Sequence, residues 1–210
     1  MNLIYFDHFS FDLDGTLINS LESMERAWSC VQKELNVQRS FSDYKNYIGL
    51  PFFEILKKLE IESQFIEIQK IYFSKSLNQL ELIKPYQDVI NFFNECKNKK
   101  KFVSIITSKP RKTTEVILDE FNIKPDLLLC GDDFHFGKPD KRLMKMAHDI
   151  SGIPKDKIVY IGDMISDMLF ALNSEVSYIQ ANKNDLSKIP NTLLNAPTQL
   201  KNFSNLWRSK

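Results

Sequence analysis

The chain has almost no net charge: 28 lysines and arginines stand against 27 aspartates and glutamates in 210 residues, a formal balance of +1. Nothing global therefore recruits nucleic acid or an anionic membrane surface. No segment approaches the apolar length of a membrane-spanning helix. The N-terminus has no basic stretch before its short apolar run, which Asp7 interrupts, and this argues against a secretory signal. Cysteine is scarce. Cys30, Cys96 and Cys130 are odd in number, far apart and set among apolar residues. They are expected to be reduced core thiols of a cytoplasmic protein rather than a disulfide framework, metal ligands or nucleophiles. Internal repeats and low-complexity tracts are also lacking.

An apolar share of 43% and a charged share of 26% describe a globular protein, and the length suits one domain or a core with a modest insertion. The basic run Lys97-Asn98-Lys99-Lys100-Lys101 is read as the solvated C-terminal end of a helix, where cations complement the dipole. Asn19 followed by Glu22 reads as a capping box opening a helix. Leu21, Met24, Trp28, Val31 and Leu35 then form one apolar stripe at helical spacing, which is core packing. Ser42 or Asp43 is expected to start a short helix through Tyr47, and Pro51 to sit in the first turn of another through Leu59. A fourth helix is expected over 64–80. Residues 19–84 thus read as an all-helical block without a strand.

From Pro85 the pattern alternates. A helix carrying Val89, Ile90, Phe92, Phe93 and Cys96 leads to a strand over 102–106. Further strands are expected at 127–130, 158–161 and 176–180, with helices near 112–122, 140–151 and 166–173. Alternation of this kind predicts an α/β fold, a Rossmann-like parallel sheet covered on both faces. The strand that precedes residue 19 must join that sheet, since a lone strand does not persist. The expected organisation is an α/β core from residues 1–18 and 85–210, with an inserted all-helical cap over 19–84 and hinges at Ile18-Asn19 and Lys84-Pro85.

Chemistry concentrates at the ends of these strands, where open parallel sheets build their sites. The first ends in Phe11-Asp12-Leu13-Asp14-Gly15-Thr16-Leu17. Strand alternation would put Ser10, Asp12 and Asp14 on one side, and two carboxylates that close repel unless a cation or a shared proton relieves them. An acidic hairpin turn is the other reading of this stretch alone. Thr107 and Ser108 end the second strand, with Pro110 after them. Gly137-Lys138-Pro139-Asp140 precedes a later helix, and Gly162-Asp163 ends the strand from Ile158, with Ser166 and Asp167 following. Thr107, Ser108, Ser166 and Asp167 could each be a helix cap, and Lys138 a solvated loop lysine. Independent caps give no reason for an acid pair, a hydroxyl, a lysine and a second acid pair to recur after successive strands. Asp12, Asp14, Asp163 and Asp167 suit a hard divalent cation such as Mg²⁺, and a hydroxyl with helix N-terminal N–H groups suits a phosphate. Together with a charge-neutralising lysine they describe phosphoryl transfer.

The set Phe11-Asp12-Leu13-Asp14-Gly15-Thr16-Leu17, Thr107, Gly137-Lys138-Pro139 and Gly162-Asp163-Met164-Ile165-Ser166-Asp167 resembles, in order, the four motifs of the haloacid dehalogenase superfamily of phosphohydrolases. The helical insertion and Thr107-Ser108-Lys109-Pro110 resemble its phosphoglycolate phosphatase-like branch. The resemblance implies that Asp12 is the nucleophile, forming an aspartyl-phosphate, and that Asp14 is the general acid and then the base. It further implies that Thr107 and Ser108 bind phosphoryl oxygens and that Lys138 holds nucleophile and phosphate together. Mg²⁺ would be held by Asp12, the backbone carbonyl of Asp14, Asp163 and Asp167, the last either directly or through an intervening group. Ser10 stands where such strands more often have an apolar residue, and the aromatic-rich segment 3–9 is unusual, which bears on where the first strand begins.

The resulting expectation is a Mg²⁺-dependent phosphatase acting on a small phosphorylated metabolite, phosphoglycolate- or sugar-phosphate-like. A phosphomutase resembling β-phosphoglucomutase shares all four motifs, and a binding or regulatory protein could keep the fold without turnover. A dehalogenase is disfavoured because Asp14 is present. Tyr44, Lys45, Tyr47 and the Ile48-Gly49-Leu50-Pro51 turn are expected to face the site from the cap, or else to pack within it. Lys109 and Arg111 are read as touching either an anionic substrate or solvent.

Overall fold

A computed structural model describes residues 5–181. The assignment of 182–210 to the α/β core and the opening residues of the aromatic segment fall outside the described residues. Five strands form one parallel sheet: β1 (His8–Phe11), β4 (Phe102–Ile106), β5 (Leu127–Leu129), β6 (Ile158–Gly162) and β7 (Ser177–Gln180), in the order β5-β4-β1-β6-β7. β1 lies at the centre, with His8 opposite both Phe102 and Ile158, so the loops after β1, β4 and β6 open side by side.

Helices α5 (Gln87–Asn98), α6 (Arg111–Glu120), α7 (Arg142–Ser151) and α8 (Ile165–Ser174) cover the sheet. Phe9, Phe11, Ile105 and Val159 pack on one face with Phe93 of α5 and Ile117 of α6. On the other, Ile106, Tyr160 and Tyr178 pack with Leu143 and Met144 of α7 and Phe170 of α8. Alternation along each buried strand supplies both faces, as a two-sided parallel sheet requires. The basic run ends α5 as its dipole favours, with Lys97 paired to Asp126, Lys99 to Glu95, and Lys101 to Asp7 at 2.7 Å.

Between β1 and α5 the chain forms α1 (Leu21–Leu35), α2 (Phe41–Lys45), α3 (Phe52–Lys58) and α4 (Phe65–Leu77). These surround their own apolar cluster, centred on Trp28, Tyr44, Leu56, Ile68 and Tyr72. The ends of the block differ from the all-helical expectation: β2 (Ile18–Asn19) and β3 (Lys84–Pro85) pair antiparallel at the two hinge positions. Two strand-like residues at each end carry too little pattern to read locally, and only their juxtaposition makes a ladder. The capping box expected at Asn19 and Glu22 is not formed. Ser20 is the N-cap without a side-chain cap bond, its hydroxyl being spent on Asp14, while Asn19 Oδ1 accepts the Leu21 N–H at 3.3 Å. A capping box does open α2, two to three residues earlier than expected, between Ser40 and Asp43. Pro51 is the N-cap of α3 rather than its first turn, and α4 begins after a separate 3-10 turn at Glu62–Gln64.

Of the cysteines, Cys96 and Cys130 are buried and Cys30 is only half-buried on α1; none is in a disulfide. Burial pushes the Cys96 and Cys130 thiols up to about 12, which suits inert packing. Among the described residues no helix is long and apolar enough to cross a membrane.

Ser10 has a structural reason to depart from an apolar pattern. Its hydroxyl accepts from Ser104 at 2.9 Å, and Ser104 meets His8 Nε2 at 2.8 Å, a polar ladder through the buried sheet. Burial pulls the His8 pKa down from 6.5 to about 4, and its Nδ1 has no partner among the described residues. Because the folded value lies below the unfolded one, the stability that neutral His8 contributes is complete above pH ~6.5 and lost as pH falls toward ~4. Unfolding by urea at about pH 7 and about pH 4.5 should show a loss on the order of 2 kcal/mol attributable to this residue. His8→Gln should flatten the dependence, and an equally steep loss in that variant would show that another group is responsible.

Candidate active site

β1 ends at Phe11, but the Asp12 N–H still bonds the Ile161 carbonyl at 2.8 Å, so Asp12 continues the strand by one residue. The chain then turns back on itself: Gly15 N–H reaches Ile18 O at 2.7 Å and Leu17 N–H reaches Leu13 O at 2.9 Å. Gly15 has φ +84°, and a Cβ there would lie 2.4 Å from an Asp163 carboxylate oxygen, so turn geometry and close approach both require glycine.

This turn corrects the expected four-carboxylate cluster. Alternation stops where the strand stops: Asp12 and Asp14 both border one cavity, but the Asp14 carboxylate is engaged by Ser20 and Lys109. Among the described residues, Asp12, Asp163 and Asp167 each bring an oxygen within 4.8 Å of the others, and the Asp14 carboxylate is not in that group. Instead Asp14 Oδ1 accepts from Ser20 Oγ at 2.5 Å and from Lys109 Nζ at 3.1 Å.

Lys138 is buried at the centre. Its Nζ donates to Asp12 Oδ1 at 2.6 Å, Asp167 Oδ1 at 2.7 Å and the Tyr160 hydroxyl oxygen at 3.1 Å, so its three protons have three acceptors. Tyr160 in turn donates to Ile106 O at 3.0 Å. Burial alone would lower the Lys138 pKa, but Asp12 and Asp167 outweigh it and hold the ammonium above its usual range. For Asp12, burial pushes the carboxyl well above its usual range; Lys138 opposes that push, while Asp167 and Asp163 add to it. Asp167 Oδ2 accepts the N–H groups of Asp163 at 3.1 Å and Met164 at 3.0 Å, so this carboxylate caps α8 from its first turn while it anchors the lysine. Three carboxylates facing one ammonium leave a formal charge of −2. An oxygen set of that charge fits a hard divalent cation.

Thr107 and Ser108 follow β4, but neither caps α6, whose N-cap is Pro110. Thr107 Oγ1 accepts the Lys109 N–H at 3.2 Å, leaving its own proton to donate. Ser108 donates to the Gly49 carbonyl at 2.8 Å, which joins the sheet's rim to the helical block. The first N–H of α6 is taken as well, by Asp132 at 2.7 Å, so it is not part of an anion cradle. Arg111 is held by Asp133 at 2.6 Å and by Leu128 O at 3.1 Å, a structural role, whereas Lys109 is buried against Asp14.

The Ile48-Gly49-Leu50-Pro51 turn does meet the core. Gly49 has φ +98°, and a Cβ there would approach Ser166 Oγ to 2.6 Å. Tyr44 and Tyr72, joined by a hydroxyl–hydroxyl bond of 3.1 Å, line one cavity of about 50 Å³ with Asp12, Asp14, Thr107 and Lys109. Lys45 is exposed and Tyr47 packs against the helical cluster, so neither lines it. Sequence reasoning did not single out Tyr160, Ser20 or Tyr72. Tyr160 had a usable signal, since it lies two residues before Gly162 on an alternating strand. Ser20 and Tyr72 act through contacts that no local pattern encodes.

A parallel sheet whose central strand ends gather three carboxylates, a buried lysine and a hydroxyl beneath a helical cover has the architecture of an α/β enzyme with its polar groups at one edge of the sheet. The chain belongs to the haloacid dehalogenase-like hydrolase family, whose sequence profile matches residues 10–181. It is 26% identical over 203 residues to a phosphoglycolate phosphatase of Aquifex aeolicus (strain VF5), covering 90% of this chain and 92% of that one. It is 28% identical over 172 residues to the pyrophosphatase PpaX of Bacillus cereus (strain AH820), covering 78% and 77% respectively. The fold is shared with a hydrolase from Pseudomonas syringae at a TM-score of 0.75 and 23% identity, covering 87% of this chain and 89% of that one.

Proposed function

We propose that this protein is a Mg²⁺-dependent phosphatase that hydrolyses a small phosphorylated metabolite in the cytoplasm through an aspartyl-phosphate on Asp12. The observation that carries this reading is the contact of Lys138 with Asp12 and Asp167, which holds the attacking carboxylate in place inside a site of net negative charge. Asp12 attacks phosphorus, the ester P–O bond breaks, and Asp14 gives its proton to the departing oxygen. Asp14 then takes a proton from water, whose oxygen displaces Asp12 and releases inorganic phosphate. Ser20 and Lys109 orient Asp14 for both steps, and Thr107 donates to a phosphoryl oxygen. Asp12, Asp163 and the backbone carbonyl of Asp14 would hold Mg²⁺, which supplies charge neutralisation for the incoming dianion. Asp167 has its two oxygens engaged by Lys138 and two backbone N–H groups, which supports a role behind the ligands rather than among them. Residues 19–84 act as the cap.

Phosphate release from acetyl phosphate with Mg²⁺ present tests this reading. Chelation with EDTA is expected to reduce turnover to background and added Mg²⁺ to restore it; full activity in EDTA would exclude the metal role.

A further inference from the structure

The wall that the helical block contributes to the active-site cavity is formed by nine residues, all uncharged, from Met24 to Phe73. Apart from Lys138 beneath Asp12, Lys109 is the one cation at this cavity among the described residues, and it is paired with Asp14. The cavity, about 50 Å³, is far smaller than the ~300–1,000 Å³ of pockets for drug-sized ligands. A carboxylate or second phosphate on the leaving group would lose its hydration here without gaining an unpaired cation among the described residues. The wall still has one polar handle. Tyr44 and Tyr72 make a single bond to each other, so of their two hydroxyl protons one remains to donate. Burial keeps both phenols above their ordinary pKa, and hence protonated.

We infer that the substrate is a phosphate monoester of a small uncharged alcohol, with one neutral oxygen of its leaving group held by the Tyr44–Tyr72 hydroxyl pair and its carbons against the apolar wall around Phe52 and Phe73. This rests on the phosphatase reading and narrows it. It separates this chain from its two named relatives, since phosphoglycolate carries a carboxylate and pyrophosphate a second phosphoryl group. It also weighs against a phosphomutase, whose bisphosphate intermediate needs a site for a second dianion.

Three two-carbon esters of matched length test it: ethyl, 2-hydroxyethyl and carboxymethyl phosphate, the last being phosphoglycolate, assayed with the full chain and Mg²⁺ beside acetyl phosphate. kcat/KM for 2-hydroxyethyl phosphate is expected to exceed that for carboxymethyl phosphate at least ~10-fold and that for ethyl phosphate by roughly 5- to 10-fold, as one well-placed hydrogen bond allows. Tyr44→Phe and Tyr72→Phe together should shrink the hydroxyethyl-to-ethyl ratio toward one, mainly through KM. Equal or better use of carboxymethyl phosphate, failure on all three esters while acetyl phosphate is hydrolysed, or a ratio unmoved in the folded double variant would overturn the inference and leave the phosphatase reading standing. No hydrolysis of any of the four would overturn both.

Discussion

Asp12→Asn is expected to abolish phosphate release from acetyl phosphate, with kcat falling roughly 10⁴-fold or more, as when a nucleophile is removed from other covalent enzymes. An amide cannot form the acyl phosphate, yet it keeps the size of the carboxylate and its oxygen can still accept from Lys138 Nζ, which lies 2.6 Å from Asp12 Oδ1. The variant should therefore fold, which far-UV circular dichroism and thermal unfolding would check. Activity within ~10-fold of the parent, in a folded variant, would mean that phosphorus is attacked by another group.

Lys138→Met is expected to be the most damaging change to stability. Lys138 is 1% exposed and touches two carboxylates, themselves 6% and 0% exposed, so its loss leaves two buried negative charges facing each other. Breaking a buried pair by removing one partner typically costs ~3–5 kcal/mol, and urea unfolding in EDTA should show a loss of that order along with loss of turnover. Lys138→Met combined with Asp167→Asn should regain part of it, because one uncompensated charge is gone. A loss below ~1 kcal/mol in the single variant would show that the carboxylates protonate or rehydrate cheaply, and that the lysine is not what holds Asp12 in place.

These two residues show how far sequence reading reached. Asp12 was legible because it ends an apolar strand and is followed by Leu13-Asp14-Gly15, a local pattern. Lys138 was legible only as a member of an ordered set, since taken alone it reads as a loop lysine. Its three acceptors lie at positions 12, 160 and 167. Ser108 and Arg111 show the converse. Both sit beside the expected phosphate-binding turn, yet one latches onto the Gly49 carbonyl and the other is tied down by Asp133. Proximity in sequence to a motif did not determine what either side chain faces.

The cap turn makes the same point from the other side. Ile48-Gly49-Leu50-Pro51 could be marked as a turn from its glycine and proline, but its contact with Ser108 and its close approach to Ser166 arise only in the folded chain, as does the pairing of β2 with β3 at the ends of the inserted block. That pairing involves two residues from each end and leaves no periodicity to read.

The sequence by itself determined most of the helices and strands and the parallel α/β order, because hydrophobic period and capping chemistry act over a few residues at a time. Tertiary structure alone decided how the two acids of Asp12-Leu13-Asp14 divide. The strand stops at the first, and the tight turn at Gly15 delivers the second to Ser20 and Lys109, away from Asp163 and Asp167. It also decided that the helical block lends the cavity only uncharged side chains, since charge at a site is the sum of groups brought together from distant parts of the chain.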